Sequence, residues 1–318
     1  MKTWVALLLA GCAAGASNPD TMVSPGPPDM APPLPSRHSI LPSDTDPKID
    51  MPNDAHTAIA PGGFGNGRLL VFLSGSGGTP AGYDLFLDFA GSIGYHVIGL
   101  GYPDKTGSVA SQCGTDIACY GLLREETWSG QDVSPIVTVD ADNCIHNRLN
   151  KLLQYLVTEY PDEGWDVFTY AGEPAWNKIT LSGHSQGGGF AVYIAASQRV
   201  ARVAAFSAPT DASNATTPPR SATWLTQPHV TPIDRYFGID HQDDAAFNAK
   251  VLQNFITLGL DGAVTDVDTV APPYGGSHRL TASRALTSPH NQIVSDGTPL
   301  DTAGVPVYQP MWQYMIAP

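Results

Sequence analysis

The chain is short of positive charge. Its 318 residues hold 16 Lys and Arg against 30 Asp and Glu, a formal net charge of −14. Nucleic-acid binding needs a basic face to neutralise phosphate, so DNA and RNA are not expected partners. Polyanionic substrates are disfavoured on the same ground. A Walker phosphate loop is lacking too, because Ser74-Gly-Ser-Gly-Gly-Thr-Pro80 has no Gly-Lys-Ser/Thr. The acidic turn Asp240-His241-Gln242-Asp243-Asp244 lacks the regular spacing of a cation loop. No metal and no organic cofactor is expected. The apolar run at the start, Trp4 to Ala10, is too short to cross a bilayer.

What is present suffices for a large core. The apolar fraction is 42%, and the length allows one large domain or two. One stretch organises the rest: Lys178-Ile-Thr-Leu-Ser-Gly-His-Ser-Gln-Gly-Gly-Gly-Phe190. Ile179 to Leu181 reads as a buried strand, and Phe190 to Ala196 as an apolar helix. Between them Gly183-His184-Ser185-Gln186-Gly187 fits Gly-x-Ser-x-Gly. Strand, Gly-flanked turn and helix are the context of a nucleophile elbow. There Ser185 projects its hydroxyl from the sheet, and the bare glycines let backbone approach closely. The Gln186 N–H then points to where an oxyanion would form.

The remaining chain alternates strands and helices. Leu69 to Leu73 is a continuous apolar run, as in a strand covered on both faces. Tyr83 to Ile93 reads as a helix and His96 to Leu100 as the next strand, which implies a parallel pair. Residues 104–139 have no clear period and read as an excursion over the site. Ile145, Leu149, Leu152, Leu153 and Leu156 recur at helical spacing. Ala201 to Phe206 and Ile233 to Ile239 read as strands, and Val264 to Val270 as an outer strand. Together these predict an α/β protein with a mostly parallel central sheet and helices on both faces.

The elbow resembles that of the α/β-hydrolase superfamily. Further stretches extend the resemblance to bacterial exported members over residues 65–318. They include Phe72-Leu-Ser-Gly-Ser-Gly-Gly-Thr-Pro80 and Gly94-Tyr-His-Val-Ile-Gly-Leu-Gly-Tyr-Pro103. The resemblance implies a serine hydrolase that cleaves carboxylic esters through a Ser-His-Asp triad and an acyl-enzyme. It implies that Ser76 or Gly77 gives the second oxyanion N–H beside Gln186. It also implies the chain order Ser, acid, His. Asp244, at the tip of the loop after the strand ending near Ile239, is the preferred acid, with Asp243 close behind. The base is His290 or His278, and His290 is preferred because a loop histidine before a helical segment can reach the hydroxyl. Amide or thioester cleavage and acyl transfer use the same parts. The rival reading is a surface protein that keeps the fold for binding alone.

The start of the chain reads as a targeting segment, residues 1–16. Leu9-Ala10-Gly11-Cys12 resembles the lipobox of bacterial lipoproteins, which implies lipid attached at Cys12. With Ala13 following, an outer-membrane or surface anchor is expected, or else a secreted or periplasmic protein, with membrane contact only through the lipid. Residues 17–60 read as a Pro-rich disordered tether, and residues 61–318 as the hydrolase domain. An exported location permits disulfides, and Cys113 with Cys119 is the preferred pair. Cys144 is expected to be a buried free thiol.

Overall fold

Short apolar runs flanked by glycine loops become the central strands. In a computed structural model, which describes residue 1 and residues 35–317 except Phe64, these runs lie side by side. The main sheet comprises β1 Ser36–Ile40, β2 His56–Ala60, β3 Leu69–Leu73, β4 His96–Leu100, β5 Ile179–His184, β6 Arg202–Phe206, β7 Tyr236–His241, β8 Thr265–Asp266 and β9 Arg279–Ala282. Their order is β1-β2-β4-β3-β5-β6-β7-β9-β8. The pairs β1/β2 and β2/β4 are antiparallel, and every other pair is parallel. All positions of β3, β4 and β5 are buried, as strands covered on both faces require.

Helices supply that cover. Asp84–Ser92 (α1) lies on one face with the C-terminal helix Gln309–Ile316, through Phe86, Leu87, Met311 and Trp312. The other face carries Cys119–Ser129, Ile145–Glu159, Gln186–Ser197 and Asn248–Leu258, through Leu123, Leu149, Leu152, Phe190, Val251 and Phe255. Among the described residues no helix is long and apolar enough to cross a membrane.

The tether expected over residues 17–60 is corrected here, because residues 36–60 contribute the first two strands. The polar β1 holds its place by pairing with β2, from Ser36 opposite Ala60 to Ile40 opposite His56. Between the strands, the buried Arg148 donates to the carbonyls of Met51 (2.7 Å) and Pro52 (2.8 Å), which ties the proline stretch to the helix Ile145–Glu159. Burial lowers this guanidinium to about 10, so it stays charged. The folded unit thus includes residues 36–60 and does not begin at residue 61. The leader, the lipobox with Cys12 and residues 17–34 lie outside the described residues, Met1 excepted.

Two further expectations change. The outer strand read over Val264 to Val270 shrinks to the two residues of β8. The four-residue β9 was not anticipated, and it lies between β7 and β8. The excursion over residues 104–139 contains the helices Val109–Cys113 and Cys119–Ser129, with Cys113 and Cys119 joined as a disulfide. Cys144 is a buried free thiol at the start of the next helix, where its sulfur accepts from the Asn147 N–H at 3.5 Å. Both sheet edges are short or polar. β8 has two residues, and Arg37 on β1 pairs with Asp84 and Asp88 of α1.

Candidate active site

At the end of β5 the chain turns sharply into the helix Gln186–Ser197. Ser185 sits at the turn with φ 52° and ψ −115°, which side-chain-bearing residues rarely adopt. The backbone crossing here leaves no space for side chains on either flank. A Cβ on Gly183 would lie 2.4 Å from the Gly187 carbonyl carbon. A Cβ on Gly187 would lie 2.1 Å from the Leu73 carbonyl oxygen. The Ser185 N–H donates to the Phe206 carbonyl at 2.8 Å, pinning the turn to β6.

Two later loops converge on this serine. His290 Nε2 lies 2.8 Å from Ser185 Oγ. Its Nδ1 lies 2.5 Å from Asp244 Oδ2. The Asp244 side chain is 4% exposed and that of His290 21%, so the carboxylate is shielded while the imidazole edge meets solvent. The structure thus brings Ser185, His290 and Asp244 together in hydrogen-bond reach.

The alternatives lie elsewhere. His278 precedes β9 and so sits at the opposite edge of the parallel sheet, with Nδ1 2.9 Å from the Tyr236 carbonyl and its ring stacked on Phe237. Asp243 is exposed, and its N–H donates to His241 Nδ1 at 3.0 Å. Asp211, after β6, is buried in a two-pronged pair with Arg124, at 2.5 and 2.6 Å. The third prong of Arg124 donates to the Gln186 carbonyl at 3.2 Å, bracing the elbow helix from behind.

His184, inside the elbow, does a different job. Burial depresses it to about 3, so its ring is neutral, with one donor and one acceptor nitrogen. A consistent chain follows. The Gly75 N–H donates to Tyr83 Oη (3.1 Å), the Tyr83 O–H to His184 Nδ1 (2.9 Å), and His184 Nε2–H to the His290 carbonyl (2.8 Å). Ser207 Oγ donates to that same carbonyl at 2.9 Å. His290 is therefore anchored by its own backbone carbonyl. Sequence reasoning missed Tyr83 and Ser207, since neither belongs to a motif.

The glycine loop after β3 faces the elbow. Its N–H groups are mostly engaged, Gly77 with the Asp104 carbonyl (3.0 Å), Gly78 with that of Gly75 (2.8 Å) and Gly75 with Tyr83. Among the described residues none accepts from the Ser76 N–H, so of the Ser76 or Gly77 alternative, Gly77 drops out. Ser76 Oγ also donates to Gln186 Oε1 at 2.7 Å and links the two loops. Lys105 Nζ donates to the Gly77 (3.1 Å) and Gly78 (3.0 Å) carbonyls, and Ser74 Oγ donates to Asp104 Oδ2 (3.2 Å). This brace was also missed, because Asp104 and Lys105 fall in the stretch without periodicity. The cleft above Ser185 measures about 370 Å³ and is lined by Ser76, Tyr83, Ser108, Phe247 and Asn291 around the serine and imidazole.

No protein-family model matches the chain, and no curated protein does. Solved structures similar to it include an S-formylglutathione hydrolase from Staphylococcus aureus. That match has 14% identity, covers 55% of this chain and 58% of the other, and has a TM-score of 0.33. The chain thus spans under two thirds of that protein's length. A dienelactone hydrolase from Anabaena variabilis matches at 13% identity over 79% of this chain and 88% of the other, TM-score 0.39. An esterase from Pyrobaculum calidifontis matches at 11% identity over 84% and 79%, TM-score 0.42. The strand order, with β2 antiparallel in an otherwise parallel series from β4 to β9 and a serine turn after the central β5, is that of the α/β-hydrolase fold.

Proposed function

We propose that this protein is a serine hydrolase acting on carboxylic esters. The observation that carries the reading is the unbroken path from Asp244 Oδ2 through His290 to Ser185 Oγ, at 2.5 and 2.8 Å, on a strained turn at the start of the helix Gln186–Ser197. Ser185 Oγ attacks the ester carbonyl as His290 Nε2 takes its proton. Asp244 accepts from His290 Nδ1–H and stabilises the imidazolium. The N–H groups of Gln186 and Ser76 receive the oxyanion. His290 returns the proton to the leaving alcohol, and water activated by the same imidazole then cleaves the acyl-enzyme.

The test is labelling by a fluorophosphonate together with turnover of short p-nitrophenyl esters. Wild type should be labelled and active. Ser185→Ala should be unlabelled and slower by roughly 10⁴-fold or more. A wild-type protein that neither labels nor turns over would favour the binding reading.

For the N-terminal segment the proposal is export and lipidation at Cys12. Metabolic labelling with radioactive palmitate should mark wild type and leave Cys12→Ala unmarked.

A further inference from the structure

Behind Asp244 lies a second carboxyl group, Asp240 on β7, fully shielded from solvent. One oxygen of each carboxyl and a nitrogen of His290 lie within 4.8 Å of one another. Asp240 Oδ2 accepts from Asn248 Nδ2 at 3.0 Å. Among the described residues no donor reaches its buried Oδ1. His241, next along the strand, is engaged elsewhere, with Nδ1 accepting from the Asp243 N–H and Nε2 facing the Arg284 carbonyl at 2.8 Å. Across the sheet Asp240 stands opposite Thr281, which carries no charge.

Two carboxylates this close in a dry site do not both ionise. Asp244 faces the imidazole, so it keeps the charge. A proton on Asp240 Oδ1 then supplies the missing hydrogen bond, with Asp244 as acceptor. We infer that Asp240 is a positioning residue, a carboxylic acid that donates to Asp244 and fixes the carboxylate that orients His290. Burial first and the Asp244 charge second push Asp240 well above the usual carboxylate range, in keeping with this role. The inference rests on the serine-hydrolase reading above.

An asparagine reproduces the required pattern, donating to Asp244 and accepting from Asn248. Asp240→Asn should therefore keep kcat/KM within about threefold of wild type, with the same acid limb of the pH profile. Asp240→Ala should lower kcat about tenfold or more at unchanged KM. In proton NMR the far-downfield His290 Nδ1 proton, absent in His290→Ala, should persist in Asp240→Asn and shift or vanish in Asp240→Ala. This signal needs no substrate, so it tests the inference even where ester turnover fails. The inference is overturned by an Asp240→Asn variant as damaged as Asp244→Asn, or by an Asp240→Ala variant with wild-type kcat and an unmoved proton. Loss of wild-type activity on adding EDTA, which would put a cation between the two carboxylates, would overturn it too. Should Asp240→Ala fail to fold, the asparagine variant decides alone.

Discussion

A methyl group at position 187 would sit 2.1 Å from the Leu73 carbonyl oxygen and 2.4 Å from that of Ser74. Backbone cannot yield there without moving the glycine loop. Gly187→Ala should therefore cost on the order of 3 kcal/mol in urea unfolding and abolish fluorophosphonate labelling. His184 makes a subtler case. Its Nε2–H is engaged by the His290 carbonyl at 2.8 Å. His184→Phe should lower kcat roughly 10- to 100-fold while KM stays near wild type, since a small misplacement of the base is enough. Asp104 offers a pH test. Burial raises it to about 7, so between its unfolded value near 3.8 and about 7 the folded state holds a proton that the unfolded state has lost. Its contribution to stability is full below the lower value and drains away as pH climbs. Asp104→Asn has no such proton to lose. Urea midpoints should show the variant gaining on wild type from about pH 4 to about pH 7.

Between elements, the elbow helix is held from behind by charge. Arg124 on the helix Cys119–Ser129 and Asp211 after β6 are both fully buried, and Trp224 Nε1 donates to the same carboxylate at 2.9 Å. Arg124→Met would strand that carboxylate, at an expected loss of about 3–5 kcal/mol by denaturant unfolding. Nothing in the local sequence announces this pair, which is 87 residues apart in the chain. The elbow itself was legible because its chemistry demands glycines at fixed offsets. Asp244 was legible because it lies in the loop after a readable strand. The choice between His290 and His278 stayed open for a physical reason. Arg279-Leu-Thr-Ala282 is too short for its alternation to register, so His278 could not be seen to precede the last inner strand. β1 and β2 were illegible for another. Ser36-Arg-His-Ser-Ile40 has little apolar content of its own and is a strand only through its partner.

The whole molecule depends on that unpromising start. β2 covers the edge of β4, and Ala58, Ile59 and Ala60 are buried in the two cores. A chain beginning at residue 35 should unfold in one cooperative transition. A chain beginning at residue 62 should lose that transition in calorimetry, because β4 becomes an uncovered edge. The sheet as built ends differently. Its margins are a two-residue strand and a polar strand whose arginine is tied to the neighbouring helix. Among the described residues the sheet therefore offers no long apolar edge on which a second copy can zip. At millimolar concentration light scattering should report discrete particles rather than growing fibres.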